Sequence, residues 1–375
     1  MTNKKICVYA ICKNESKYLD AWLTNMSEAD YIVVLDTGST DGTYELMQQD
    51  PRITRVEQKI ISPWRFDEAR NESMKLIPED AEICVCTDFD ELFEESWCQV
   101  IRDNWQDNDT RCTYHYAWSH NDQGEPTNVF TYDKIHTKDY HWKYPVHEIL
   151  TLNDPTMEEH VLEAGDHIYL HHYMDMTKPR SSYFDLLKLA VKENPEDSHV
   201  ASLLGREYML RKEYKNAIKQ YQATLKLPDV NTEVKLGIKL ETYGKLGDCN
   251  FLLGNYDEAI KWYNEWINTD PTYREPYFCI ADVYMTKHMY TVAIGYLDMG
   301  IKFATRKYDW LERFDNWIAK ANDMLAICYY YLKDYNIAYD NIVIAYDHDK
   351  SDRIITNYKS ILFAKETGIH SNDVT

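Results

Sequence analysis

Residues 205 to 342 carry one signature four times over, and this constrains the fold more than any other feature of the chain. The signature is a small residue, then a larger one three positions on, an alanine at plus twelve and a bulky side chain at plus sixteen. It reads Gly205, Tyr208, Ala217, Tyr221; then Gly247, Asn250, Ala259, Tyr263; then Ala281, Tyr284, Ala293, Leu297; and last Ala326, Tyr329, Ala338, Ile342. The steps between copies are 42, 34 and 45 residues, so a 34-residue unit recurs with two insertions. Periods of this size mark stacked helix–turn–helix units, each of which needs its neighbours to bury its apolar face. Small residues at the first and third positions let paired helices approach closely, and the bulky side chain fills the space left. Asp270-Pro271 falls where a second helix would end. Pro179 and Pro195 punctuate the entry, with a lead-in helix predicted over 181–193. The rival reading is an irregular helical bundle.

The first half follows a different rhythm. ICVYAIC (6–12), YIVVL (31–35) and EICVCT (82–87) are apolar, β-branched runs, and 53–61 is a weaker one. Helical patterns at 16–28, 41–49 and 67–77 separate them. Strands spaced by helices of this length predict a parallel α/β sheet covered on both faces. Residues 111–175 are richer in aromatics and turns, which predicts a mixed hairpin region. They also hold nine of the 13 histidines. At 375 residues two domains are expected, split here as 1–178 and 179–375. A net charge of −21 argues against a nucleic-acid backbone or an anionic membrane as partner, but not against a metal-bridged nucleotide. No apolar run approaches the ~18 residues of a membrane span, and no signal peptide is apparent. The nine cysteines mostly sit inside apolar runs, which predicts reduced thiols and a cytoplasmic setting.

In open α/β sheets ligands bind beyond the carboxyl ends of the strands. Polar, acidic loops follow three of these strands, at 13–15, 36–43 and 88–91. Asp88-Phe89-Asp90 sets two carboxylates at alternate positions of a strand end, a spacing suited to a hard divalent cation that holds a diphosphate. Two helix caps would use the same residues. Asp36-Thr37-Gly38-Ser39-Thr40-Asp41 either meets a ribose or base donor or is an ordinary capped strand-to-helix turn. His147 in Val146-His147-Glu148 is a candidate metal ligand and Glu148 a candidate general base. Alternate residues of a strand face opposite ways, so at most one of His171 and His172 points into the site as a further candidate ligand. Asp122 and Glu125, on a turn, are further candidates for the base.

Taken together, AICKNE (10–15), LDTGSTDGT (35–43), Arg70-Asn71 within FDEARNESM, and Asp88-Phe89-Asp90 resemble the family-2 glycosyltransferases of GT-A fold. The 34-residue period is that of tetratricopeptide repeats. DKIHTKDYHWKYPVHE (133–148), YLHHY (169–173) and Arg180, followed by the repeats, resemble the S-glycosyltransferases of glycocin biosynthesis and related bacterial enzymes. The resemblance implies an α/β GT-A (Rossmann-like) nucleotide-sugar domain followed by an all-α tetratricopeptide solenoid. It implies that Ala10, Cys12, Asn14, Glu15, Asp36 and Gly38 frame the uracil and ribose of a UDP-sugar, with Arg70 near the base or diphosphate. Asp88 and Asp90 would be the metal-binding pair for Mn²⁺ or Mg²⁺, Asp90 being the favoured direct ligand, with Phe89 and Glu91 as variations on the motif; the resemblance also favours His171 as a second candidate ligand and leaves His172 to packing.

The function expected is an inverting, metal-dependent hexosyl transfer from a UDP-sugar to a peptide or protein side chain held by the repeats. A surface-glycan transferase is one rival. An adaptor with an inactive transferase half is another. A homodimer stays open.

Overall fold

The computed structural model describes residues 4–121, 124–173, 182–307, 311 and 317–369. The chain separates into two compact units, Met1–Ala190 and Val191–Thr375.

The first unit alternates strand and helix as β1 (Ile6–Cys12), α1 (Leu19–Met26), β2 (Tyr31–Asp36), α2 (Thr43–Gln49), β3 (Arg55–Gln58), α3 (Phe66–Met74) and β4 (Ile83–Cys86). It continues with β5 (Glu91–Phe93), α4 (Trp97–Asn104), β6 (Arg111–His120), β7 (Pro126–His136), β8 (Tyr140–Lys143), β9 (Ile149–Leu152), β10 (Val161–Glu163) and β11 (Tyr169–His172). The main sheet runs β3-β2-β1-β4-β7-β6-β11-β5, with β10 also paired to β6. Its first four strands are parallel. β7 is antiparallel to both β4 and β6, and β5 is antiparallel to β11. The strands of the first half are thus parallel, as their spacing predicted, and strands from the region read as a mixed hairpin, 111–175, extend the same sheet and make it mixed. β8 and β9 form a separate hairpin.

β1 is apolar at every position because both of its faces are covered. Ile6, Val8 and Ala10 pack with Leu19, Trp22 and Met26 of α1, while Cys7 and Tyr9 pack with Leu76, Tyr140 and Trp142. Parallel pairing aligns the strand ends, so Cys12 of β1 stands beside Asp36 of β2, and Tyr9 beside Cys86 of β4. The polar loops after β1, β2 and β4 consequently leave the sheet along one edge.

The second unit is helical. A lead-in helix α5 (Tyr183–Glu193) spans the junction of the two units. Four hairpins follow it: α6 (Ser198–Leu210) with α7 (Tyr214–Thr224), α8 (Leu236–Leu252) with α9 (Tyr256–Thr269), α10 (Glu275–Thr286) with α11 (Tyr290–Phe303), and α12 (Trp317–Tyr331) with α13 (Tyr335–His348). α14 (Asp352–Thr367) packs on the last of them. The repeat signature maps onto the contact inside each pair. Ala217, Ala259, Ala293 and Ala338 are fully buried, as are Leu297 and Ile342, and Tyr221 and Tyr263 nearly so. A Cβ built on Gly247 would lie 2.3 Å from the Tyr263 ring, and one on Gly205 would lie 2.6 Å from Tyr221, so only glycine admits these tyrosines.

A fifth repeated position appears in the turns. Lys212, Gly254, His288 and Lys333, each seven residues past the first anchor, adopt left-handed φ of 61°, 77°, 57° and 65°. The next backbone N–H, at residues 213, 255, 289 and 334, donates to the carbonyl of the second anchor at 2.8–2.9 Å. This is the six-to-one bond of a Schellman helix stop. Among the described residues, no helix is long and apolar enough to cross a membrane.

Candidate functional site

At the carboxyl edge of β4 lies a cluster of buried charge. Arg70, carried by α3 and 4% exposed, donates from Nη2 to both carboxylate oxygens of Asp88 (3.0 and 3.1 Å) and from Nε to Glu148 Oε1 (2.6 Å). Its Nη1 reaches Cys86 Sγ at 3.1 Å, and the guanidinium lies 5.1 Å from the Trp142 ring centroid. On the other side of Asp88 stands Lys134 of β7, also buried, with Nζ 3.6 Å from Asp88 Oδ2 and 3.3 Å from Glu91 Oε1. Burial alone would lower the Lys134 pKa, but Glu91, Tyr132 and Asp88 outweigh it and hold it well above the usual lysine value. Glu91 accepts from the Asp88 backbone N–H (2.9 Å) and the Tyr116 hydroxyl (2.9 Å). Burial raises its carboxyl against the pull of Lys134.

No sequence signal marked Lys134. A register shift brings it in: Cys112 faces Ile135 and Tyr114 faces Tyr132, so Asp133 and Lys134 of β7 stand opposite Thr113 alone. Such a bulge re-aims side chains that simple alternation would place elsewhere.

Beneath this cluster runs a buried relay. Trp142 Nε1 donates to Tyr9 Oη at 2.8 Å, Tyr9 Oη lies 2.7 Å from His136 Nε2, and His136 Nδ1 lies 2.6 Å from the Thr137 carbonyl.

Asp90 is buried on a different front. Its Oδ2 lies 3.8 Å from His172 Nε2, while His172 Nδ1 is buried without a hydrogen-bond partner. The His172 ring packs against Trp118 (centroids 4.8 Å apart) and Tyr116 (5.9 Å). His171 points the other way. Its Nδ1 meets His120 Nε2 at 2.9 Å, and its Nε2 meets Glu94 Oε1 at 3.3 Å. β11 pairs on both edges, with β6 and with β5, so its two histidines take opposite faces, and the one toward Asp90 is His172. This reverses the assignment made from sequence, which favoured His171 as ligand.

The remaining candidates fall as follows. His147 has a left-handed φ of 51°, is exposed, and meets the Tyr183 ring edge-on at 5.8 Å. It does not join Asp90 and His172 in a group of three. Asp36 is fully buried, and its Oδ1 accepts from Gly38 N, Ser39 N and Gln58 Nε2 at 2.8–2.9 Å, while Cys12 Sγ approaches Oδ2 at 3.5 Å. Burial would raise the Asp36 pKa, yet these hydrogen bonds hold it below the ordinary carboxylate value. Asp36 therefore closes the turn, the plainer of its two sequence readings. Asn14, at φ 60°, ties the neighbouring loops: its N–H donates to Ser39 Oγ, and its Oδ1 accepts from Thr40 N. Glu15 is buried at the start of α1, Ala10 and Cys12 lie in the core, and Gly38 turns at φ 110°. Glu125 is exposed at the β6–β7 hairpin tip, bonded to Asn121, and Asp122 and Arg180 lie outside the described residues.

A divalent cation needs oxygen or imidazole donors not already committed to internal cations. Among the described residues no group of three or more His, Cys, Asp or Glu side chains converges to hold a metal. Asp88 does not suit a direct ligand, since Arg70 and Lys134 already hold it. Asp90 and His172 remain a candidate pair, a carboxylate and an imidazole with Oδ2 and Nε2 3.8 Å apart. Ions held at phosphate sites commonly take only one or two protein ligands, the phosphates and water supplying the rest.

No family model matches the chain, and no curated protein does. Among solved structures it is similar to MamA protein, with 18% identity over 45% of this chain and 82% of that one at a TM-score of 0.36. It is also similar to YrrB, described as a TPR protein with an unusual peptide-binding site, with 15% identity over 48% and 84% at a TM-score of 0.36. A third is TTC0263, a thermophilic TPR protein in Thermus thermophilus, with 16% identity over 49% and 90% at a TM-score of 0.37. The repeat architecture of the helical unit rests on its own anchors and turns.

Proposed function

We propose that the chain is an inverting glycosyltransferase that moves a sugar from a UDP-sugar to a peptide or protein side chain. The observation that carries this reading is that Asp88 and Glu148, from two separate stretches of sequence, meet on Arg70 just past the end of β4, while Asp90, two residues on, stands beside His172. Strand order β3-β2-β1-β4, followed by antiparallel β7, supports a nucleotide-sugar domain of the GT-A kind.

In this reading Asp90 and His172 would hold a manganese or magnesium ion, which when bound would supply charge neutralisation for a diphosphate leaving group. Glu148, with its side chain 12% exposed, accepts the acceptor's proton. The acceptor atom bonds to the anomeric carbon as the bond to the diphosphate oxygen breaks, and the electron pair leaves on UDP. The repeats offer a surface for an extended acceptor, as helical solenoids do.

The test is release of UDP from a panel of UDP-sugars in Mn²⁺ or Mg²⁺. Glu148→Gln is expected to keep UDP affinity and to lose turnover by about 10²–10⁴-fold. Loss of UDP affinity with turnover per bound donor retained would remove Glu148 from the role of base. A second reading, an adaptor without transfer activity, is favoured by the internal cations on Asp88, and it predicts no metal-dependent UDP binding at all.

A further inference from the structure

Arg70 was expected beside the donor, yet it is buried with its guanidinium spread between two carboxylates that come from distant parts of the chain. Glu148 lies 78 residues from Arg70 and Asp88 lies 18. Resting on the transferase reading, we propose that Arg70 is a positioning residue that fixes the Glu148 carboxylate relative to Asp88, and does not itself bind the donor.

Four observations carry this. The guanidinium uses Nη2 on Asp88, Nε on Glu148 and Nη1 on Cys86, so each of its three nitrogens already has an internal partner. Its face rests on Trp142, which the relay through Tyr9 and His136 holds in turn. Lys134 supports Asp88 from the other side, so Asp88 is fixed by two cations while its side chain stays 35% exposed. Glu148 follows directly on a left-handed turn at Tyr144 (φ 81°) and His147, a segment with no sheet pairing of its own before Ile149. Arg70, 2.6 Å from Glu148 Oε1, is the side chain that anchors this carboxylate. A lysine in its place offers a point charge without the planar fork, and cannot serve both carboxylates in the same geometry.

The test compares wild type with Arg70→Lys, reading Mn²⁺-dependent UDP affinity by calorimetry and kcat for UDP release from a mixture of UDP-sugars. The expected result is a kcat lower by about 10²-fold, the scale of a misplaced catalytic group, with UDP affinity within about threefold of wild type. Unchanged kcat overturns the proposal, and so does a tenfold loss of UDP affinity, which would make Arg70 a donor ligand. Arg70→Ala with added guanidinium chloride at tens of millimolar gives an independent readout. Recovery of kcat at constant donor KM supports positioning, while recovery through donor KM alone overturns it. Should Arg70→Ala not fold, Arg70→Lys decides. Wild-type protein that binds no UDP in Mn²⁺ overturns the transferase reading and this proposal with it. An active wild type in which Arg70→Lys behaves normally overturns this proposal alone.

Discussion

The same substitution, glycine to alanine, should have opposite signs at two helical positions of the repeat unit. Gly295 in α11 is exposed, and an added Cβ would meet nothing within 4 Å. Gly295→Ala should therefore gain only the helix-propensity difference, about 0.8–1 kcal/mol. Gly247 in α8 is different. Its added Cβ would stand 2.3, 2.6 and 2.6 Å from three atoms of the Tyr263 ring. That ring cannot swing clear: it is 2% exposed and its hydroxyl donates to Asp248 at 2.9 Å. Overpacking of this kind costs about 1–3 kcal/mol, and three contacts under 3 Å place it in the upper half of that range. Less the propensity gain of about 1 kcal/mol, Gly247→Ala should destabilise by about 1–2 kcal/mol. For a unit of this size each kcal/mol moves Tm by about 2–4 °C. Thermal melts followed by circular dichroism at 222 nm (helix signal) should show Gly295→Ala about 2–4 °C above wild type, and Gly247→Ala about 2–8 °C below it. If both substitutions raise Tm, α8 and α9 do not approach as described, and the repeat signature has another cause.

The left-handed turn position gives a second test. Gly254→Ala should lower stability by about 1–2 kcal/mol, the penalty for a Cβ in that conformation, while Lys333→Gly should raise it, as read by the same melts. A third concerns acid. Burial holds the His136 pKa down to about 4, from 6.5, so in the fold it stays neutral where the unfolded chain binds a proton. Stability should then fall as pH drops from about 6.5 toward 4, by on the order of 3 kcal/mol. Urea titrations across that window should show a flatter dependence in His136→Asn. An equal slope in both proteins would move the acid sensitivity to other groups.

Much of the fold was readable because it rests on local periodicity. β1 reads as apolar throughout since both of its faces are buried, and the anchors read as a repeat since every hairpin needs the same close approach. The fifth repeat position escaped because three of its four residues are Lys or His, which carry no glycine signal for a left-handed turn. Lys134 escaped because its inward placement comes from a bulge, which is a property of the β6–β7 pairing and not of either strand's pattern. Alternation showed that only one of His171 and His172 can face Asp90, but choosing between them needed the register of β11 against β5. Asp36 reads equally as a ligand or as a turn closer until Gln58 of β3 is seen to donate to it. The carboxylates of the site were legible by type and spacing. The cations that hold Asp88 were not, because pairing across distant elements leaves no mark on a local stretch of sequence.

The central claim is that Asp90, with His172, holds a divalent ion against the diphosphate of a UDP-sugar. Calorimetric titration of UDP into wild type and Asp90→Ala, each with and without Mn²⁺, tests it most directly. The account predicts binding by wild type only with the metal, and none by a folded Asp90→Ala variant. Binding that ignores both the metal and the substitution, or no binding by wild type under any condition, would contradict it.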